Sequence, residues 1–91
     1  MGPRSRRLDY RGQIAVVTGA SAGLGRRLAL DLASAGAVVV GVARREERLQ
    51  DLVDEMRRHS PESSYRVCDL SDATSFVGLL EQVEEEHSRI D

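Results

Sequence analysis

The sequence predicts an α/β fold, a parallel sheet flanked by helices, with three strands and three helices in the order β-α-β-α-β-α. Three observations carry that expectation. Short continuous apolar runs, Ile14 to Val17 and Ala37 to Ala43, suit strands buried on both faces of a sheet. Between and after them, apolar residues recur every three or four positions, the spacing of a helix with one buried face. The connections are tight, with no repeat and no linker. Alternation of this kind implies parallel strands joined by right-handed crossovers.

Each element follows from local chemistry. Residues 1–9 (MGPRSRRLD) hold Pro, Gly, Ser and Arg with little to bury, and are expected to form a flexible N-terminal arm; the domain is residues 10–91. The first strand ends at Thr18-Gly19. Leu24, Leu28 and Leu32, with Ala29, Ala33 and Ala35 alongside, predict one apolar stripe on the first helix, and Gly36 stands where a left-handed residue would end it. The second strand is Ala37 to Ala43. Leu49, Leu52, Val53 and Met56 predict an amphipathic helix over 45–59, with Glu46 and Glu47 in its first turn, Arg57 and Arg58 in its last, and Pro61 beyond it. Tyr65 to Cys68 is a short third strand. Ser71 is the expected N-cap of a third helix carried by Phe76, Leu79, Leu80 and Val83. Arg89-Ile90-Asp91 then supplies one apolar residue of what would be a fourth strand, so the domain reads as truncated before that strand, leaving the first strand as a sheet edge.

Composition narrows the function classes. The chain has 91 residues, 41% hydrophobic, with one Cys and no Trp, which excludes collagen-like, disulfide-scaffold and wholly disordered proteins. A net charge of −2 argues against an electrostatic nucleic-acid partner. No run approaches the ~18 apolar residues of a membrane span, and no signal peptide follows the basic start, so the expectation is a cytoplasmic protein with no membrane partner. All 13 basic residues are Arg, and there is neither Lys nor Asn. His59, His87 and Cys68 are too scattered for metal-ligand spacing, so no metal is expected. Cys68 reads as a small buried group, and Glu84 to Glu86 as a solvated helix face.

The strongest motif is Thr18-Gly19-Ala20-Ser21-Ala22-Gly23-Leu24-Gly25, between the first strand and the first helix. Gly19 permits a sharp exit from the strand, Gly23 leaves room for backbone to approach a pyrophosphate, and Gly25 allows close helix–sheet packing. The helix N-terminus then offers free N–H groups to phosphate. The spacing is neither G-x-G-x-x-G nor the Lys-bearing loop of NTPases.

With that motif the sequence resembles the short-chain dehydrogenase/reductase family, from about Tyr10 to Asp91. The resemblance implies the cofactor-binding part of a Rossmann-type domain, with Gly19, Ser21, Ala22, Gly23, Leu24 and Gly25 around the cofactor phosphates. It also implies that Asp69, followed by Leu70, hydrogen-bonds the adenine edge; without it, a cap or Asx-turn role for Asp69 is equally good. At the end of the second strand, where NAD-binding members carry an acidic residue, stand Ala43, Arg44 and Arg45. A guanidinium there suits the 2′-phosphate of NADP, so NADP is expected ahead of NAD. For Arg45 a solvated helix start is an even alternative, and Arg48 is expected to face solvent.

The implied activity is hydride transfer between nicotinamide and a small-molecule carbonyl or alcohol substrate, and homo-oligomer assembly fits a complete protein of this kind. The family's Ser, Tyr, Lys and Asn lie past the fourth strand, so no catalytic residue is assigned here, and Tyr10 and Tyr65 stand in the wrong regions. Two rivals remain: a non-catalytic nucleotide-binding or sheet-edge interaction module, and, more weakly, another Rossmann enzyme such as a methyltransferase.

Overall fold

The computed structural model describes residues 9–91. Residues 1–8 of the expected arm lie outside them; at Asp9 the carboxylate accepts hydrogen bonds from the Arg11 guanidinium at 3.0 and 2.8 Å. The elements are β1 (Ile14–Thr18), α1 (Gly23–Ser34), β2 (Val38–Ala43), α2 (Glu46–Met56), β3 (Ser64–Val67) and α3 (Ala73–His87). The strands form one parallel sheet in the order β1-β2-β3, with Ile14 opposite Val38 and Val40 opposite Ser64. The expected α/β class and element order are both present, and β1 is indeed an edge.

The central strand explains why its sequence is apolar throughout. Successive side chains point to opposite faces. Val39 and Ala43 join the core beneath α1 and α2, with Leu49, Leu52, Val53 and Met56. Val40 and Val42 join the core beneath α3, with Ile14, Cys68, Leu79 and Val83. Both faces are covered, so no polar residue is tolerated on β2. The chain end lies along the free edge of β1. The Asp91 N–H donates to the Ile14 carbonyl at 2.6 Å, the Ile14 N–H donates to the Asp91 carboxylate at 2.8 Å, and Ile90 packs on the second core.

Three expectations are corrected. The apolar stripe of α1 is not Leu24-Leu28-Leu32: Leu24 is 88% and Leu28 51% exposed, whereas Ala29 and Ala33 are fully buried. The face that meets the sheet runs through Gly25, Ala29 and Ala33, because small side chains let the helix come close. The leucines stand one position earlier, about 100° around the helix, and of the three only Leu32 packs on this core, half-buried. The second helix stops at Met56, short of 59. Arg57 is its C-cap and donates to the Ser63 carbonyl at 2.8 Å, so Arg57, Arg58 and His59 belong to the following turn and not to the last helical turn. Finally, Asp72 and not Ser71 caps α3.

That cap has a pH signature. The Ser75 hydroxyl donates to one Asp72 carboxylate oxygen at 2.8 Å and the Ser75 N–H to the other at 3.2 Å. These bonds, the hydroxyl's foremost, hold the Asp72 carboxyl below its ordinary value of 3.8. A carboxyl whose pKa is lowered by folding stabilises the fold above the unfolded value, and that contribution fades as pH falls through the folded value. Asp72→Ala is therefore expected to lower the melting temperature at pH 7 by about 4–8 °C. The gap from wild type should narrow steadily below pH ~3.8. Thermal melts followed by circular dichroism between pH 7 and 2.5 check this; a gap independent of pH would mean the carboxylate charge plays no part in the cap.

Candidate functional site

The carboxyl ends of the three strands open into one cleft. Two backbone bonds align them: the Ala20 N–H donates to the Val42 carbonyl at 3.2 Å, and the Cys68 N–H to the Ala43 carbonyl at 2.9 Å. A space of about 290 Å³ lies between the turn after β1, the end of β2 and the loop after β3. Of the residues singled out from the sequence, Gly19, Ser21, Arg44, Arg45, Asp69 and Leu70 line it. Ala22 to Gly25 form the adjoining start of α1 instead, with Ala22 as N-cap. Larger open hollows lie elsewhere, one of about 670 Å³ beside Gly36 and His59 at the opposite end of β2, but none of the residues singled out for binding lines it.

Local geometry in the glycine turn follows from residue type. Gly19 and Gly23 stand at φ +64° and +59°, a region that costs other residues ~1–2 kcal/mol. A Cβ at Gly23 would meet no atom within 4 Å, so its solvent-facing side is open to a ligand. At Gly25 the reason is contact. A Cβ there would press on the Gly19 carbonyl oxygen, 2.8 Å from its carbon and 3.2 Å from the Thr18 oxygen. The helix start itself is unfinished. Ala22 has no side-chain oxygen to cap it, and no acidic residue occupies the first turn. The first N–H groups of α1 therefore keep their hydrogen-bonding capacity and a positive dipole end for an anion.

Opposite this turn, Arg44 and Arg45 are exposed at the exit of β2. Asp69 takes the Ser71 N–H at 3.0 Å and the Ser71 hydroxyl at 2.9 Å, both on Oδ1. That is an Asx-turn, so the capping role passes to Asp72 and the second carboxylate oxygen of Asp69 takes no hydrogen bond among the described residues. The Ser71 N–H foremost, then its hydroxyl, hold the Asp69 carboxyl below its ordinary range, helped by the charge of Arg44. Two further residues line the cleft. Cys68, buried as expected, forms part of its wall, and Arg48, exposed as expected, also lines it. The signal for Arg48 was its place in the first turn of α2, directly after the β2 exit that carries Arg44 and Arg45.

A parallel sheet whose glycine turn opens a helix at the strands' carboxyl ends defines a Rossmann-type unit. Comparison with known proteins specifies it further. A sequence model described as short chain dehydrogenase matches residues 13–91. A short chain dehydrogenase of the fungus Pseudocercospora fijiensis is 40% identical over 83 residues, 91% of this chain and 27% of its own length. Among solved structures, a metagenomic short-chain oxidoreductase in complex with NADP superposes with a TM-score of 0.84 at 40% identity, over 89% of this chain and 37% of that one. An NAD+-bound xylitol dehydrogenase does so with a TM-score of 0.85 at 27% identity, over 90% and 32%. The chain belongs to the short chain dehydrogenase family, and it spans about a third of the length of these relatives.

The contact at Gly25 gives a direct test of how the cleft is held. Gly25→Ala must push α1 away from the turn, with an expected loss of about 1–3 kcal/mol of stability. Gly23→Ala meets no atom and carries only the cost of its backbone angle. Urea denaturation of both variants checks the order; a Gly25→Ala chain as stable as wild type would show that the helix does not rest on the turn.

Proposed function

We propose that the chain is the NADP(H)-binding portion of an oxidoreductase, one that transfers hydride between nicotinamide and a small carbonyl or alcohol substrate. The observation that carries the cofactor choice is the exit of β2, where Ala43 stands in the acidic slot and Arg44 lines the cleft. An acidic residue there would accept hydrogen bonds from ribose hydroxyls; a guanidinium instead meets a phosphate on that ribose. The residues fit such a ligand. The open side of Gly23 and the uncapped start of α1 suit a pyrophosphate, and the free Asp69 oxygen suits the donor edge of adenine. The bound cofactor supplies the hydride chemistry. Residues of this chain bind and orient its adenosine end, and none of them is assigned to the chemical step.

Both ends of the cleft can be tested by fluorescence titration. In wild type, NADPH is expected to bind about 10- to 100-fold more tightly than NADH, since each charge-assisted hydrogen bond contributes about 1.5–3 kcal/mol. Arg44→Ala should erase most of that preference and leave NADH binding nearly unchanged. Added salt should shrink the margin, because the pair is exposed. Equal losses for both cofactors, or an initial preference for NADH, would end the phosphate reading of Arg44. Gly23→Val should weaken both cofactors by at least ~10-fold, since its branched side chain occupies the side left open for the pyrophosphate. Unchanged affinity would remove the turn from the site.

A further inference from the structure

Ion pairing among the arginines is uneven. Arg11, Arg26, Arg27, Arg66 and Arg89 each meet a carboxylate. Arg57 donates to a backbone carbonyl. Among the described residues, Arg44, Arg45, Arg48 and Arg58 form no ion pair, and the first three of these line one cleft. Glu46 accepts from the Tyr65 hydroxyl at 2.8 Å and Asp69 from Ser71; the charge of Arg44 acts on Asp69, but none of the three arginines forms a salt bridge among the described residues.

The placement runs against local electrostatics. Arg45 is the N-cap of α2 and Arg48 stands three positions later, in its first turn. Cations at a helix N-terminus oppose the macrodipole, and like charges three apart on one face repel. Glu46 and Glu47 offset part of this. Helical side chains also tilt toward the N-terminus, so Arg48 leans back toward Arg45 and the cleft. Among the described residues these three cations form no ion pair, and Glu46, Glu47 and Asp69 offset only part of their charge, the pattern expected where a ligand supplies the rest.

We propose that Arg48 is a specificity-determining residue of this cleft, completing with Arg44 and Arg45 a three-arginine clamp for the phosphate on the adenosine ribose of NADP(H). The assignment rests on the cofactor reading above and deepens it. Selectivity then comes from a shared positive field and not from Arg44 alone, so Arg44→Ala leaves a residual, salt-sensitive preference for NADPH.

The test compares Arg48→Ala, Arg48→Glu and Arg48→Lys with Arg58→Ala, which removes an equally free charge beyond the far end of α2. Each variant is titrated with NADPH, NADH and adenosine 2′,5′-bisphosphate, and melted without ligand. Arg48→Ala is expected to weaken NADPH and the bisphosphate about threefold to fivefold and NADH less than about twofold. Arg48→Glu should weaken NADPH by at least ~10-fold, Arg48→Lys should retain most of the affinity, and Arg58→Ala should leave binding unchanged. Without ligand, Arg48→Ala should melt no lower than wild type, because it relieves repulsion at the helix start. If wild type prefers NADPH but Arg48→Ala behaves like Arg58→Ala, or weakens both cofactors equally, the clamp is refuted and the cofactor reading stands. If wild type binds neither cofactor or prefers NADH, the cofactor reading itself fails and the clamp with it.

Discussion

The structure depends on a backbone-to-backbone approach at the exit of β1, where the start of α1 lies against the carbonyls of Thr18 and Gly19 with no side chain between them. Gly25 makes that approach possible, and Ala29 and Ala33 continue it along the helix, so α1 lies flat and low on the sheet. The close approach sets the start of α1 beside the turn that follows β1, next to the cleft. A bulkier residue at position 25 would lift the helix start. The same cleft floor is then braced by the bonds from Ala20 to Val42 and from Cys68 to Ala43, which keep the three strand ends level.

Much of this was legible in the sequence, because the signals were redundant. The runs ending at Thr18 and Ala43 are too short and too uniformly apolar for helices, and the heptad-like spacing of Leu49, Leu52, Val53 and Met56 admits one buried face only. The glycine turn combined residue type with position between a strand and a helix, and its cleft contains most of the residues chosen for it. Where the reading failed, a local rule gave way to packing. Leucine weighs more than alanine in any periodicity, yet the sheet selected the alanine face of α1 for its smallness. Ser71 and Asp72 are both good caps, and the choice between them depends on the local Asx-turn that Asp69 makes with Ser71, a role the sequence offered for Asp69 without showing that it would take Ser71 out of the cap. Arg48 is exposed, as its charge implied, but charge alone does not reveal that it also lines the cleft.

The electrostatics divide along the same line as the packing. Acids and arginines pair around the outside of the sheet, at Arg26 with Glu55 and at Arg66 with Glu86, while the cleft collects cations. The helices divide likewise: α3 begins on a carboxylate that satisfies its first N–H groups, and α1 begins on an alanine that satisfies none. A helix start completed by its own chain is structural; one left open at the mouth of a cleft is available for binding.

The two margins of the sheet are finished differently. Along β3 the Arg66 side chain folds back onto the Tyr65 carbonyl and Ser64 hydroxyl and reaches Glu86 on α3, so a charge lies over the outer strand. Along β1 the Asp91 backbone is already engaged with Ile14. The sheet therefore has a direction of growth. A strand approaching β3 must displace an arginine and its partners, whereas one approaching β1 inherits a register begun at Ile14.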